Sequence, residues 1–282
     1  MKKIVITADS PADIPEDYAN KNNIKIIPFI ISIEGKEYLD GIDIDVDTMY
    51  RFYYDKEILP MTAAPSPADY HNLFNQYDED YEIIHFSMSS SMSSAYQNAK
   101  LAANAFDNVH IIDSGHISSG IAIMVYNTQQ MIDEKRPLIE VLEEARNMRY
   151  KVDISFVVGQ TEFLKAGGRV STLVAVGVNA LNIKPSIVAL PDEGSLTVGK
   201  KYRGQLGHAF TKYVKDKLKD LNNINENVIY ITHSGVDQDI VDSLYDMVKN
   251  LNYFKEIKVT RAGNTISSHC GPDSLGIIYL NK

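Results

Sequence analysis

Cysteine is almost missing from this chain: Cys270 is the one cysteine in 282 residues. No intrachain disulfide can form, and a zinc site built on paired thiolates lacks its ligands. Long apolar runs are missing too. Residues 24–33 and 170–190 come closest, and Lys25, Pro28, Asn179, Asn182, Lys184 and Pro185 interrupt them. A membrane-spanning helix needs about 20 mostly apolar residues. The start Met1-Lys2-Lys3 precedes only three apolar residues, against about 7–15 in the core of a signal peptide. A cytoplasmic protein is the expectation. Basic charge is in deficit, with 28 Lys and Arg against 37 Asp and Glu and a formal net charge of -9. That balance argues against nucleic acid or an anionic membrane as main partner, and leaves a transient membrane contact open.

Several familiar motifs are also absent. No G-x-G-x-x-G marks a dinucleotide site, and no G-x-S-x-G marks a hydrolase elbow. The seven histidines (His71, His85, His110, His116, His208, His233, His269) include no H-E-x-x-H pair. The stretch Gly194-Ser195-Leu196-Thr197-Val198-Gly199-Lys200-Lys201 has the spacing of a phosphate-cradling loop up to its lysine. Lys201 stands where the magnesium-holding hydroxyl belongs, and the interior alternates as a strand does. A β-hairpin arm is expected there instead.

What is present is an ordinary globular balance, 44% apolar and 23% charged. At about 150 residues per domain, two domains are expected. The first half alternates strand and helix signals: strands at 3–7, 24–33, 82–87 and 108–113, helices at 46–56, 93–106, 117–134 and 137–150, with Ser66-Pro67 opening another. Such alternation implies βαβ units and a parallel sheet. The second half reads as strands at 153–159, 183–190, 195–200, 227–232, 257–261 and 275–280 with helices at 204–221 and 237–251, a mixed α+β unit. A tight turn at Gly167-Gly168-Arg169 is expected between two short helical segments. The fold class is therefore α/β, with an N-terminal parallel-sheet unit over 1–155 and a C-terminal α+β unit over 156–282.

Ligands of open α/β sheets bind at the carboxyl ends of strands, so hydroxyls there carry information. The cluster Ser87-Met88-Ser89-Ser90-Ser91-Met92-Ser93-Ser94 lies between a strand and a helix. Its hydroxyls, with the free N–H groups of a helix start, suit an anion. A serine-rich loop holding one helix cap is the other reading. Thr62-Ala63-Ala64-Pro65-Ser66-Pro67 and Ser267-Ser268-His269-Cys270-Gly271-Pro272 are two further hydroxyl-bearing loops.

From end to end the chain resembles the DegV family of bacterial fatty-acid-binding proteins. The resemblance rests on Thr7-Ala8-Asp9-Ser10, on Thr62-Ala63-Ala64-Pro65-Ser66 and on Ser89-Ser90-Ser91-Met92-Ser93-Ser94-Ala95-Tyr96-Gln97. Leu164-Lys165-Ala166-Gly167-Gly168-Arg169-Val170-Ser171 and His269-Cys270-Gly271-Pro272 with Gly276 complete it. It implies one long-chain fatty acid held between an N-terminal Rossmann-like domain and a C-terminal α/β domain, with no other cofactor and no metal. It also implies that the carboxylate is bound by Thr62 and Ser93, with a backbone N–H at Ser94 and with His269 nearby. The chain would be non-catalytic, presenting that carboxylate to the separate, ATP-using catalytic subunit of a fatty acid kinase, for use in phospholipid synthesis. Arg169 and Arg203 fall in segments similar to the family's, and a basic cluster of Arg169, Lys200, Lys201 and Arg203 is expected to face that partner. Ser91 and Ser94 replace usual glycines, Ala95 a usual threonine and Asp273 a usual glycine. His269 is expected to gain charge beside the carboxylate, so that affinity strengthens as pH falls from about 7.5 to 6. Two other classes stay open from the residues: a hydrolase or transferase using Ser93 with His269 as base, and a scaffold whose cleft is incidental.

Overall fold

A computed structural model describes residues 2–170 and 183–282. The second helical segment expected after Gly168 lies outside the described residues. Strand β1 (Lys3–Asp9) runs into a 3-10 turn, Ser10–Ala12, then α1 (Glu16–Lys21) and β2 (Lys25–Ile27). A hairpin, β3 (Ile30–Ile33) and β4 (Lys36–Leu39), leads to α2 (Val46–Lys56), β5 (Met61–Ala63) and α3 (Pro67–Phe74). Then come β6 (Tyr81–Ser87), α4 (Ala95–Ala103), β7 (Val109–Asp113), α5 (Ser119–Asp133) and α6 (Leu138–Met148). The rest is β8 (Val152–Val157), α7 (Glu162–Gly167), β9 (Ile183–Leu190), β10 (Ser195–Arg203), α8 (Leu206–Lys217) and β11 (Ile224–Ser234). It ends with α9 (Gln238–Lys249), β12 (Glu256–Arg261), α10 (Asn264–Cys270) and β13 (Ser274–Asn281).

The first sheet is wholly parallel, in the order β2-β1-β6-β7. Its strands are β-branched and its crossovers carry helices, as the alternation implies. The second sheet is mixed, in the order β10-β9-β8-β13-β11-β12, with only β11 and β12 parallel. The expected run over 24–33 is two strands rather than one. Pro28 has no N–H to give a ladder, and the chain leaves the parallel sheet after Ile27. It re-enters as β3 of a small antiparallel sheet, β4-β3-β5. Glu34 and Gly35, at φ 52° and 76°, close its hairpin in the left-handed region, the turn whose twist suits paired strands.

Helix α5 is apolar nearly all round and lies between the two sheets, packed on β1 and β6 of one and on β8, β11 and β13 of the other. A helix without a polar face belongs in a core. One core therefore runs from the parallel sheet, through α5, onto one face of the mixed sheet, where Ile154, Ile187 and Ile278 lie. The opposite face, with Ile229, Ile277 and Tyr279, packs on α8 and α9 through Phe210, Val241 and Leu244. The alternation of Ile277, Ile278 and Tyr279 between these cores is the period of two of a strand buried on both faces. Residue 155, where the two units were expected to part, falls inside β8, whose partners β9 and β13 both belong to the mixed sheet. The Gly194–Lys201 stretch is the turn and antiparallel arm expected of it. Among the described residues no helix is long and apolar enough to cross a membrane.

Candidate functional site

The hydroxyl loops converge on one chamber. Thr62 lies on β5, opposite Ile31 of β3, so the expected loop is in part a strand. Helix α3 follows, held by a full capping box between Ser66 and Asp69, a local signal of a helix start. Ser93 and Ser94 end the serine cluster at the start of α4, where the Ser93 hydroxyl accepts from the Ala95 N–H at 3.2 Å. Asn98 of α4 donates to the Pro65 carbonyl at 2.8 Å and fixes the spacing of the Thr62 and Ser93 segments. Asp9, buried at the end of β1, braces both. It accepts from Tyr70 Oη of α3 at 2.6 Å, and from Ser87 Oγ and the Met88 N–H at 2.8 Å each. Its other neighbour is His85 Nε2, at 3.3 Å.

His269 approaches from the second unit. The segment 267–272, expected as a loop, is in its first part the helix α10, and it sets His269 Nε2 2.8 Å from Thr62 Oγ1. The other ring nitrogen, Nδ1, is buried without a partner among the described residues. A Cβ on Gly167 would stand 2.3 Å from that nitrogen, so only glycine lets α7 come so close. A proton on Nδ1 would be a buried donor with nothing to bond, a costly arrangement. With its proton on Nε2 the neutral ring donates to Thr62 Oγ1, which frees the threonine O–H to donate onward. Burial, reinforced by the Arg169 charge, pushes the His269 pKa down to about 4. Burial thus opposes the gain of charge expected beside a bound carboxylate between pH 7.5 and 6, and the pull of that carboxylate would have to offset it.

Thr62, Ser93, Ser94, His269 and Arg169 all line this chamber, of about 270 Å³. The rest of its wall is largely apolar, including Phe29, Met88, Met92 and Leu164. Ile117, Phe156, Ile266 and Cys270 are shared with a smaller inner void of about 40 Å³ that reaches in toward β11 and β13. Hydroxyls border that void, but they are turned to one another, to backbone or, for Ser118, to the Asp13 carboxylate. Ser155 meets Tyr213 Oη at 2.9 Å, Ser274 donates to the Cys270 carbonyl at 2.8 Å and Ser234 donates to the Gly271 carbonyl. A mouth with hydroxyls thus leads to a dry interior. Burial raises the Cys270 thiol to about 11, so it packs as an apolar group.

Most of the serine cluster serves structure. Ser89 and Ser91 donate to the carbonyls of Gly194 and Glu193, in the turn between β9 and β10, and Ser90 donates to Asp113 at 2.6 Å. Arg149 Nε donates to the Pro191 carbonyl at 2.9 Å, and its Nη1 meets Asp113 at 3.1 Å. Ser89, Ser90 and Ser91 thus tie the loop to its surroundings, while Ser93 and Ser94 line the chamber. Ser91, in a usual glycine position, is one of the latches. The basic residues fall in two places, with Lys200, Lys201 and Arg203 together near the end of β10 and Arg169 apart from them. Val170 bridges Leu196, which places Arg169 beside the start of β10, while Arg203 ends that strand, roughly 20 Å away at strand rise. Lys200 is paired with Asp216. No hydrogen bond joins Ser93 to His269 among the described residues, and no carboxylate meets His269 Nδ1, so the relay of a serine hydrolase is not formed.

Residues 3–282 match the family model described as "Uncharacterised protein, DegV family". The chain belongs to the DegV family. A DegV domain-containing protein of Clostridium acetobutylicum is 28% identical over 286 residues, with all of both chains covered. One of Staphylococcus aureus is 27% identical over 285 residues, again with full coverage. Among solved structures, a DegV family protein from Thermus thermophilus described by its fatty acid binding superposes with a TM-score of 0.91 at 26% identity, covering all of both chains. The Streptococcus pneumoniae fatty acid kinase B3 protein, loaded with linoleic acid, shares the fold at a TM-score of 0.86 and 22% identity, over 99% of this chain and 100% of its own. Sequence reasoning missed several residues that shape this DegV chamber: Phe29, Phe156, Ile266, the brace Asp9 and the close approach of Gly167. Phe29 had a signal, an aromatic residue placed after a strand-breaking proline.

Proposed function

We propose that this protein binds a single long-chain fatty acid, its carboxylate at Thr62, Ser93, Ser94 and His269 and its tail directed inward past Phe156 and Ile266. The observation that carries the reading is the single chamber that joins those hydroxyls to an apolar interior. The ligand class is argued from this polarity: one charge needing several donors, and an alkyl chain needing none. A buried carboxylate left unpaired is very costly. Here the threonine hydroxyl, primed by His269, is joined by the Ser93 and Ser94 hydroxyls and the α4 amino end, with the Arg169 cation at the mouth. At about 0.8 kcal/mol per methylene, some fourteen methylenes give on the order of 11 kcal/mol gross. Association costs of roughly 4–15 kcal/mol offset much of this. The similarity to the fatty-acid-binding Thermus thermophilus protein supports the reading.

The carboxylate of a free fatty acid is ionised near neutral pH, so no base is needed before it acts as a nucleophile. Neutral donors hold it without adding a proton. We infer that a separate kinase subunit takes this carboxylate to the γ-phosphate of ATP. A bond forms between carboxylate oxygen and phosphorus, ADP leaves, and an acyl phosphate results. Arg169 beside the chamber and Arg203 at the end of β10 are the docking cations of this reading, at two separate points. A division into two units, expected at 1–155 and 156–282 and drawn before β8 so that the strand stays with its sheet, belongs to the same proposal, with the chamber between them. Native mass spectrometry of the protein purified from bacterial cells tests the binding. A co-purified mass in the fatty-acid range is expected; an apo mass unchanged by added lipid would sink it. Arg203→Ala is expected to slow acyl-phosphate formation by an added kinase subunit while leaving lipid binding unaltered.

A further inference from the structure

Two buried carboxylates that take no part in the mouth, Asp13 and Asp40, meet at the first turn of α10. Asp13 follows the 3-10 turn after β1, with φ 49°. Its Oδ1 accepts from the Gly263 N–H at 2.8 Å, and its Oδ2 takes the Ser118 hydroxyl. Asp40 follows β4. Its Oδ1 accepts from the Asn264 N–H at 3.0 Å and from Asn264 Nδ2 at 3.1 Å. Its Oδ2 accepts from Thr265 Oγ1 at 2.6 Å and from Ser10 Oγ at 2.8 Å. A Cβ on Gly263 would lie 3.1 Å from Asp13 Oδ1 and 3.7 Å from Asp40 Oδ1, so the two groups flank one α-carbon. Gly263 has no side chain with which to cap the helix. Its caps come from residues 250 and 224 positions earlier in the chain.

What these carboxylates hold is the wall of the chamber. Thr265 lines it, as does Phe29, whose N–H donates to Ser10 Oγ at 3.0 Å, while Ser118 borders the inner void. Helix α10 itself carries Ile266, His269 and Cys270 to the chamber. A seven-residue helix has less than two turns, so a shift of its first turn displaces His269 at its far end.

We propose that Asp13 and Asp40 are positioning residues of the lipid site: by capping α10 from the N-terminal half they fix where His269 stands against Thr62. This rests on the fatty-acid reading above. Neither residue touches the ligand. They act by setting the contact that primes the threonine hydroxyl, whereas a plain brace would leave that contact intact when it is weakened.

The test uses the full chain, hexadecanoic acid as probe, and the ring-nitrogen NMR signals of His269 as a second readout. Asp40→Ala is expected to lower hexadecanoate affinity about tenfold, the size of one lost charged-group hydrogen bond, and to shift the His269 Nε2 signal. Asp40→Asn keeps an oxygen for the Asn264 N–H and is expected to recover part of both. A folded Asp40→Ala protein with wild-type affinity and an unmoved His269 signal overturns the proposal. Where Asp40→Ala does not fold, Thr265→Val decides. It removes the hydroxyl that ties α10 to Asp40 at nearly constant volume. Weakened binding with a shifted His269 signal supports the proposal, and both unchanged overturns it. If the wild type itself does not bind hexadecanoate, the fatty-acid reading fails, and the His269 signal alone then judges the positioning role by the same criterion.

Discussion

Two hydrogen-bonded seams join the halves of this molecule around the chamber, and they are built from opposite chemistry. At the rim, Ser89, Ser91 and Arg149 donate to the backbone carbonyls of the turn after β9. On the inner side, Asp13 and Asp40 accept backbone N–H groups and hydroxyls at the start of α10. Ser91 and Glu193 are exposed, and water can replace a lost donor there, whereas Ser89 is buried. Asp13 and Asp40 are 9% and 5% exposed and the Asn264 and Thr265 donors facing Asp40 are 1% and 2% exposed, so water reaches that seam less. Similar numbers of contacts therefore differ in consequence. A broken exposed hydrogen bond costs little net free energy, whereas an orphaned buried donor costs its full desolvation. The rim seam suits a place where the molecule opens, and the inner seam a place where it does not.

The largest effect should come from the inner seam. Asp40→Ala strands several buried donors, and a stability loss of roughly 3 kcal/mol or more is expected in urea unfolding. Arg149→Met should cost about 1 kcal/mol on the same scale. Equal losses would erase the distinction between the seams.

Acidity sharpens it next. Burial, and after it the adjacent Asp40 charge, raises Asp13 from 3.8 to about 7, against the lowering pull of Ser118 and Gly263. A carboxyl raised on folding adds stability that is full below about pH 4 and lost as pH climbs through 7, on the order of 4 kcal/mol across the window. His269 and His116 run the other way. Burial lowers each to about 4, so their contribution is full above about pH 6.5 and lost as pH falls toward 4. In the wild type these slopes oppose. Asp13→Asn removes one of them and should lose stability more steeply than the wild type between pH 6.5 and 4.5. Parallel curves would show that Asp13 does not titrate near 7.

Ligand binding comes third. Thr62→Ala and Ser93→Ala should each weaken fatty-acid affinity by about 1.5–3 kcal/mol, measured calorimetrically, because each removes a bond to a charged group. Wild-type affinity in both would place the carboxylate elsewhere. The smallest effect belongs to the exposed rim serine. Ser91→Ala should cost about 1 kcal/mol of stability or less and hasten release of bound lipid in a displacement assay. Unchanged release would make the rim a static seam.

How legible all this was depends on sequence distance. Helix α3 shows in the chain because Ser66 and Asp69 cap it from three residues apart. Helix α10 does not show, because its caps lie in Asp13 and Asp40 and its N-cap is a bare glycine. The strand-helix alternation of the first half was readable from period and punctuation, and the parallel sheet follows from it. The break at Pro28 was visible, but not that the two pieces join different sheets. Thr62, Ser93, Ser94, His269 and Arg169 were named through family resemblance, and they do line one chamber. The burial that lowers the His269 pKa was not readable, since it depends on the packing of α7 and α10 and on the contact with Gly167. The scatter of the basic residues was hidden likewise: Arg169 and Arg203 are close to one strand, but at its two ends.

Strand order bears on how the protein is made. β13, the last strand in the chain, is not at an edge of the mixed sheet but between β8 and β11. Val157 of β8 pairs with Leu275, about 120 residues later, a long loop to close and a slow kind of pairing. During synthesis the parallel sheet can settle first, since domains tend to fold from the N-terminus as they emerge. Until β13 joins, β8 and β11 each keep one edge unpaired. The segment just before β13 delivers His269 and Cys270. The chamber is therefore completed by a late-arriving stretch of chain, and a chain that lacks it leaves exposed strand edges and no finished pocket.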